Sequence, residues 1–514
     1  MNINRKAMNK ANSIILSIVI FVLLIGCNKI PEASRSRIQN KVDYVTIDGL
    51  WKCTPETALK LEDLTIEPVV YISGGMSKQP SAKGCFTWDG SFRDYWWLEK
   101  IEYNDSTNEI KIKDEDGSIY IGKIDNKKQR IVGMVYSQDG DKLIPEDKLD
   151  LIRATDFNVE RLFIPRKPTE DGSIQYNYQI PANSDDGLQT SSFFNYSKDT
   201  SALYDLINEI IKQEYGRLES FLIMKDQNLI FEEYFYNHSS TDLHNIFSCT
   251  KSIVSLAAGI AFEKVKKLNI EESIFNVFPQ FDSLKNNENQ DITLKHILTM
   301  SAGFECDNNY KLVKPNEVAG SILKLPLISK PGGQFRYNSE CPYFLGGLIY
   351  EISGKTIAEF TKENIFSPLG IKEYIWKNRN GNPDCESNLY MQPRDMIKIG
   401  LLALNNGKWK GKQIVPEQWI NESTKPHIAE SDFFNYGYQW WHRSKLNKPW
   451  WKEDTKDSKE YDMFLALGYG GQYIFIIKDL NLIISMTSSD YNEGNGMAFK
   501  KIPLVIEKII PLFE

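Results

Sequence analysis

The sequence predicts an α+β protein: a small antiparallel β domain, then a larger domain whose antiparallel sheet is flanked by helices and carries an inserted helical lobe. Two observations predict it. Between residues 42 and 164, short apolar alternations are cut by Asp, Asn and Gly turns, the pattern of paired strands. Beyond about residue 198, strand-like runs stand at both ends of a long segment whose middle reads as helix. A sheet built from both ends of a domain is closed by its termini, and the helices between must cover it or form a lobe.

Length supports two domains, because 514 residues exceed what one ordinary hydrophobic core serves. A net charge of −7, with Lys and Arg scattered and no basic block, argues against a nucleic-acid partner.

The first 26 residues read as a targeting segment rather than as fold. Arg5, Lys6 and Lys10 give a positive start, and residues 14–25 an apolar run too short to span a bilayer comfortably. The run ends in Leu24-Ile25-Gly26-Cys27, which resembles a bacterial lipobox. That resemblance implies a lipidated Cys27 at the mature N-terminus, residues 27–41 as a polar tether, and attachment to a bacterial envelope membrane, on its periplasmic or surface side. The plainer alternative is an ordinary signal peptide that contains a cysteine.

The remaining cysteines, Cys53, Cys85, Cys249, Cys306, Cys341 and Cys385, show no C-x-x-C pairing, so neither a zinc site nor a disulfide scaffold is expected. Cys53 and Cys85 are the pair open to a bridge in an oxidising compartment. Five histidines, His238, His244, His296, His427 and His442, have no metal-ligand spacing, and no metal or cofactor is predicted.

In the front domain, Ile110 and Ile112 alternate with charges, and residues 119–124 and 131–136 follow Asp- and Gly-bearing turns. This is a meander that can close as a small barrel or a sandwich. Trp51, Trp88, Trp96 and Trp97 fit a ligand platform or, more simply, core packing. Residues 165–197, rich in Pro, Asp, Ser and Asn, read as a linker. The second domain is placed at 198–514. It has a first helix near 203–215, strands at 220–224 and 229–233, late strands at 472–477 and 481–487, and a last helix at 500–512.

The strongest chemical feature is Ser248-Cys249-Thr250-Lys251, leading into a helix apolar almost all round. Ser248 would lie at the helix N-terminus, where N–H groups favour developing negative charge, with Lys251 one turn on along the same face. Burial disfavours the charged amine, which suits Lys251 to take a proton from a serine nucleophile. The alternative is a plain N-cap serine with the lysine snorkelling outward, and the same spacing recurs at Ser321 and Lys324 without support.

A second feature is the Gly-rich turn Pro331-Gly332-Gly333, which presents Tyr337-Asn338-Ser339 just before another apolar helix closed by Gly354. With Ser248–Lys251, residues 293–303 and Pro393-Arg394-Asp395-Met396, it resembles the serine beta-lactamase and penicillin-binding-like hydrolases over about residues 200–512. The resemblance implies Ser248 as nucleophile, Lys251 as its activator and Tyr337 as proton relay. It matches the third family motif to Ala466-Leu467-Gly468, so that the backbone N–H groups of Ser248 and Tyr469 would form an oxyanion hole.

Two departures bear on the substrate. Ser339 stands where lactamases have Asn. Ala466 replaces the motif's usual cation, and Leu467 lacks the hydroxyl found in many members. A substrate carboxylate would have no charged partner there, and Tyr337-Asn338-Ser339 together with Gly468-Tyr469-Gly470-Gly471-Gln472 instead resembles the 6-aminohexanoate-dimer hydrolase and esterase subgroup. The expected substrate is a small-molecule or peptide ester or amide. The alternatives are a DD-peptidase or beta-lactamase and, from another class, an inert surface-binding lipoprotein. His296 reads as structural. Tyr436, Tyr438, Trp440, Trp441, Trp450 and Trp451 fit an acyl pocket or a packed wall equally well.

Overall fold

The computed structural model describes strands at 49–53, 59–61, 64–66, 69–73 and 83–87, then residues 95–153 apart from 105, 115–118, 126–128 and 140–141. It further describes 165–166 and 176–514 apart from 198, 237, 266–267, 306–312, 380–381, 432–433, 444–460 and 491–498. The proposed signal peptide, Cys27 and the tether lie outside these residues, as do Trp88, Cys306, Trp450 and Trp451. Among the described residues no helix is long and apolar enough to cross a membrane.

The chain divides into two compact units, one of residues up to Phe163 with Asp490–Met497, the other of Ile164–Ser489 with Ala498–Glu514. The first is a closed antiparallel barrel. Its strands are β1 (Gly49–Cys53), β4 (Val69–Ser73), β5 (Lys83–Thr87), β6 (Tyr95–Asn104), β7 (Glu109–Asp114), β8 (Ile119–Ile124), β9 (Arg130–Asp139) and β10 (Lys142–Arg153), with a small hairpin of β2 (Leu59–Leu61) and β3 (Leu64–Ile66) beside it. From β4 to β10 each strand pairs with the next, and β1 closes the ring between β10 and β4, which removes exposed edges. The alternation seen in the sequence has its reason here: Ile110 and Ile112 are buried with Trp51, Tyr120, Ile131 and Leu151. Trp51 is fully buried beneath the Arg153 guanidinium, so it serves the core rather than a platform. The register sets Cys85 in the same row as Leu50, two strands from β1, while Cys53 lies three residues further along.

The second unit is built on one nine-stranded sheet. Its strands are β11 (Gln189–Thr190), β12 (Leu218–Lys225), β13 (Asn228–Tyr234), then β17 (Ile428–Ala429), β18 (Asn435–Tyr436), β19 (Trp441–Arg443), β20 (Met463–Gly468), β21 (Gln472–Ile477) and β22 (Leu482–Ser488), in the order β11-β13-β12-β22-β21-β20-β19-β18-β17. A second, three-stranded sheet joins β14 (His244–Asn245), β16 (Leu389–Met391) and β15 (Tyr374–Trp376) in that order. Asp226 and Gln227 both have positive φ, giving the type I′ turn that matches strand twist between β12 and β13. The late β20–β22 meander pairs back onto β12, so the sheet is closed by the two ends of the domain, as the sequence predicted.

The sheet is apolar on both faces, with the period of two that this requires. Phe221, Ile223, Tyr473 and Phe475 join one core, under helix α1 (Thr200–Ile211) and the C-terminal helical turns. Leu222, Met224, Ile474, Ile476 and Ala466 join the other, against α2 (Cys249–Phe262), α3 (Glu340–Ser353) and α4 (Pro393–Leu404). Every residue of α2 is buried, the physical meaning of its all-round apolar sequence.

Residues 176–197, expected as linker, instead belong to this unit. Leu188 and Phe193 are buried, β11 pairs in parallel with β13, and Arg394 holds Ser184 and Asp186 while gripping Glu232 through two nitrogens. Anchors this widely spaced leave no periodic trace in a Pro- and Asp-rich segment.

Candidate active site

The segment from His244 to Lys251 runs from a strand into the head of α2. Asn245 Oδ1 accepts from the Phe247 N–H at 2.9 Å, and Phe247 is held at φ 45°, a left-handed conformation costly for an aromatic residue. Helical geometry begins at Ser248, yet its side chain makes no capping hydrogen bond to the helix. Instead Ser248 Oγ accepts from Lys251 Nζ at 3.0 Å. A capping serine would instead turn its oxygen to the N–H groups of the next turn, so Ser248 is not a plain N-cap.

Lys251 is 3% exposed, so it does not snorkel. Its amine also donates to the Glu386 carbonyl at 2.8 Å and lies 5.0 Å from the centre of the Tyr337 ring. Leaving a buried amine without hydrogen-bond partners is costly, and these contacts offset that cost. The carbonyl is itself held. Fully buried Asp384 accepts from the Glu386 and Ser387 N–H groups, both at 3.0 Å, and from Asn388 Nδ2 at 2.8 Å. Asn388 in turn accepts from Asn245 Nδ2, tying this loop to the strand before Ser248. Asp384 and Glu386 were missed in the sequence, since a carbonyl ligand has no side-chain signature.

Tyr337 leaves the Gly-rich turn with its backbone pinned on both sides. Arg336 N–H bonds to Met300 O, and Asn338 both holds Arg336 O and accepts from the Cys341 N–H at the head of α3. Gly332, at φ 74°, presses so close to His296 that a Cβ would come within 2.7 Å of Nε2. His296 meanwhile completes a capping box with Thr293, and burial lowers its pKa, which gives it the structural role expected. The Tyr337 ring is partly exposed, stacks on Trp441 at 5.7 Å and meets Tyr436 edge-on at 6.4 Å. Tyr436 is buried, and burial raises its hydroxyl pKa well above the ordinary value. Phe335 and Phe434 extend this wall, which carries Tyr337 on its surface. Ser339, at the start of α3, is partly exposed and makes no cap bond.

The end of β20 approaches the same place. A Cβ on Gly468 would stand 2.3 Å from Ile246 O, so only glycine lets this strand close against the backbone before Ser248. Tyr469, at the following turn, meets the Phe247 ring edge-on at 5.7 Å. Gln472 braces the turn by donating to Tyr469 O and pairing with the Ser488 backbone. Among the described residues, no group accepts from the Ser248 N–H. Ala466 is buried in the α2-side core, where its methyl meets apolar neighbours, and Leu467 packs toward the opposite face.

The structure thus brings Ser248, Lys251 and Tyr337 to one spot and sets the β20 end beside it. A hydroxyl held by a buried amine, near a phenol and a tight strand end, can support nucleophilic attack and proton transfer. A separate cluster that sequence reading missed gathers Glu219, His238 and His244 behind this segment.

The Beta-lactamase family model matches residues 218–502, more than half of the chain. The chain belongs to the beta-lactamase family, a family of serine hydrolases whose members include esterases, amidases and DD-peptidase-like proteins. Among curated relatives it is 26% identical over 151 residues to Protein flp of Staphylococcus aureus, covering 28% of this chain and 30% of that protein. An uncharacterized protein of Alkalihalophilus pseudofirmus is 21% identical over 313 residues, 54% of this chain and 86% of its own length. Two of the similar solved structures illustrate the fold. One is a putative 6-aminohexanoate-dimer hydrolase from Bacillus anthracis, with 22% identity, a TM-score of 0.46 and coverage of 58% of this chain and 80% of its own. The other is EstCE1, a hydrolase with promiscuous acyltransferase activity, with 13% identity, a TM-score of 0.46 and coverage of 59% and 97%.

Proposed function

We propose that this protein hydrolyses esters or amides through an acyl-enzyme on Ser248. The observation that carries the reading is the 3.0 Å contact between a buried Lys251 amine and a serine oxygen that does not cap its helix. In the proposed reaction Ser248 Oγ attacks the acyl carbonyl and its proton passes to Lys251. The N–H groups of Ser248 and Tyr469 receive the oxyanion. Tyr337 passes a proton to the departing alcohol or amine and regains one from Lys251, and the carbonyl reforms as the acyl-enzyme. Water then attacks that ester, giving up a proton to Tyr337 or Lys251 that returns to Ser248 Oγ as the acid leaves.

Ala466 supports a neutral acyl donor. With no cation at this motif position, a carboxylate entering the site would lose hydration without gaining a charge partner there, which disfavours penicillins and D-alanyl peptides relative to simple esters. The Tyr337–Trp441 wall supplies apolar surface for such a donor.

The deciding experiment is labelling with a fluorophosphonate probe, followed by peptide mapping. Label on Ser248, lost in Ser248→Ala, is the expected result. An unlabelled wild-type protein would leave the inert binding reading in its place. Efficient acylation by benzylpenicillin would replace the esterase reading with a lactamase or DD-peptidase one.

The proposal extends to location: Cys27 carries lipid and holds the enzyme on an envelope membrane. Cys27→Ser should move the protein to the soluble fraction or block its maturation, and unchanged membrane fractionation would reject the anchor.

A further inference from the structure

We infer that Glu219, His238 and His244 form a buried zinc site that braces the strand leading to Ser248. One donor atom from each residue lies within 4.8 Å of the other two. Glu219 Oε2 stands 3.6 Å from His244 Nδ1, close to the edge of a tetrahedron with bonds of about 2.0–2.1 Å, and the other carboxylate oxygen, Oε1, lies 3.4 Å from His238 Nε2. Two imidazoles and a carboxylate are a set that Zn²⁺ accepts, with a fourth position left for water.

The residues come from three places. Glu219 sits in a bulge of β12, where the pairing with β22 slips between Leu218 and Ser220, and a bulge re-aims the side chain it carries. His238 follows β13, beyond Tyr236 at φ 53°, and His244 opens β14. The two imidazole rings lie 4.7 Å apart, tilted by 33°. All three side chains are almost wholly buried.

Hydrogen bonding leaves part of this cluster unanswered. Glu219 Oε1 accepts from Arg217 Nε at 3.0 Å and from Ser489 Oγ. Glu219 Oε2, although fully buried, has no hydrogen-bond partner, nor does His238 Nδ1. A buried carboxylate oxygen aimed at an imidazole nitrogen at 3.6 Å is too far for a good hydrogen bond and well placed to share a cation. Arg217 stacks on Tyr236 and engages the Oε1 side, so Oε2 remains for the metal.

The position gives the metal a purpose. His244 stands four residues before Ser248 in the chain. Glu219 reaches Ser489, whose neighbour Ser488 pairs with Gln472, the brace of the Tyr469 turn. A metal here would fix both backbones that converge at Gly468 and Ile246, without touching a reacting atom.

The test uses the mature full-length protein, stripped with dipicolinate and dialysed against Zn²⁺ or Co²⁺. The expected result is about one equivalent of zinc per chain and a visible absorption band of tetrahedral Co²⁺. Zinc should also raise the thermal midpoint of the wild type. His238→Ala should lower zinc affinity by at least about a hundredfold and remove the cobalt band. The wild-type titration alone decides the matter should the variant fail to fold. Wild type that retains no more zinc than His238→Ala, or Co²⁺ with no tetrahedral band, would overturn the site and leave an arginine-braced ion cluster. Neither readout depends on hydrolysis.

Discussion

Ser248 with Lys251 and Ser321 with Lys324 share one spacing, and the structure puts them in opposite surroundings. Both pairs lie on or just beyond a helical segment, so each lysine falls one turn from its serine. At the first pair the amine is 3% exposed and bonds the serine oxygen. At the second, Lys324 is exposed, and the bond between the two residues is the ordinary backbone one, Lys324 N–H to Ser321 O at 3.2 Å. Spacing places two groups on one face. Burial of the amine, and freedom of the hydroxyl from capping, are what set the first pair apart.

The comparison breaks first at the serines. Ser248→Ala should lower p-nitrophenyl ester turnover at least about 10³-fold with folding intact, while Ser321→Ala should leave it unchanged. Circular dichroism with initial rates checks both. Residual wild-type turnover in Ser248→Ala would remove the nucleophile from this helix altogether.

The lysines sharpen it. Lys251→Met keeps the buried volume but removes the base, and should cost about 10²–10⁴-fold in the acylation rate. Lys324→Met, in water, should cost nothing measurable. Equal losses at both positions would mean that the effect of Lys251 is one of stability rather than proton transfer. Tyr337→Phe is next, with an expected loss of about 10²-fold, because the ring still stacks on Trp441 and only the hydroxyl is gone. The double variant Lys251→Met, Tyr337→Phe should lose less than the product of the two, since the residues act as a unit.

What could be read from the chain beforehand follows the range of the interactions. Local patterns were legible. The apolar α2, the β12–β13 turn at Asp226 and Gln227, and the Gly-rich turn before Tyr337 all announce themselves within a dozen residues. Barrel closure was legible only as a possibility, because β1 meets β10 across most of the domain. The anchoring of residues 176–197 was invisible, since Leu188, Phe193 and Asp186 find their partners one by one. Glu219, His238 and His244 showed no ligand spacing because a bulge and two loops, not one helix, bring them together. The Asp384–Glu386 clamp on Lys251 is the instructive case: the ligand is a main-chain oxygen, and the side chain that aims it lies two residues away.

The smallest effect tests the substrate. Ala466 lies on β20 with its methyl in the α2-side core, two residues before Gly468 closes on Ile246. Ala466→Lys would restore a cation where the family motif carries one. A charge-assisted contact to a substrate carboxylate that delivers about 1.4 kcal/mol to the transition state raises the acylation rate by roughly tenfold. The same substitution buries a long side chain in an apolar layer, so part of the gain is offset by strain of about 1–3 kcal/mol in the folded protein. The useful quantity is therefore a ratio: second-order acylation by benzylpenicillin over that by a neutral ester, compared between the two proteins. Strain slows both substrates alike and cancels, whereas the cation helps only the carboxylate. A ratio that rises about tenfold supports a site closed to anions by Ala466. A ratio that stays flat would mean that residue 466 does not face the bound acyl donor, and that the selectivity lies elsewhere, first at Ser339 or along the wall of Tyr337 and Trp441.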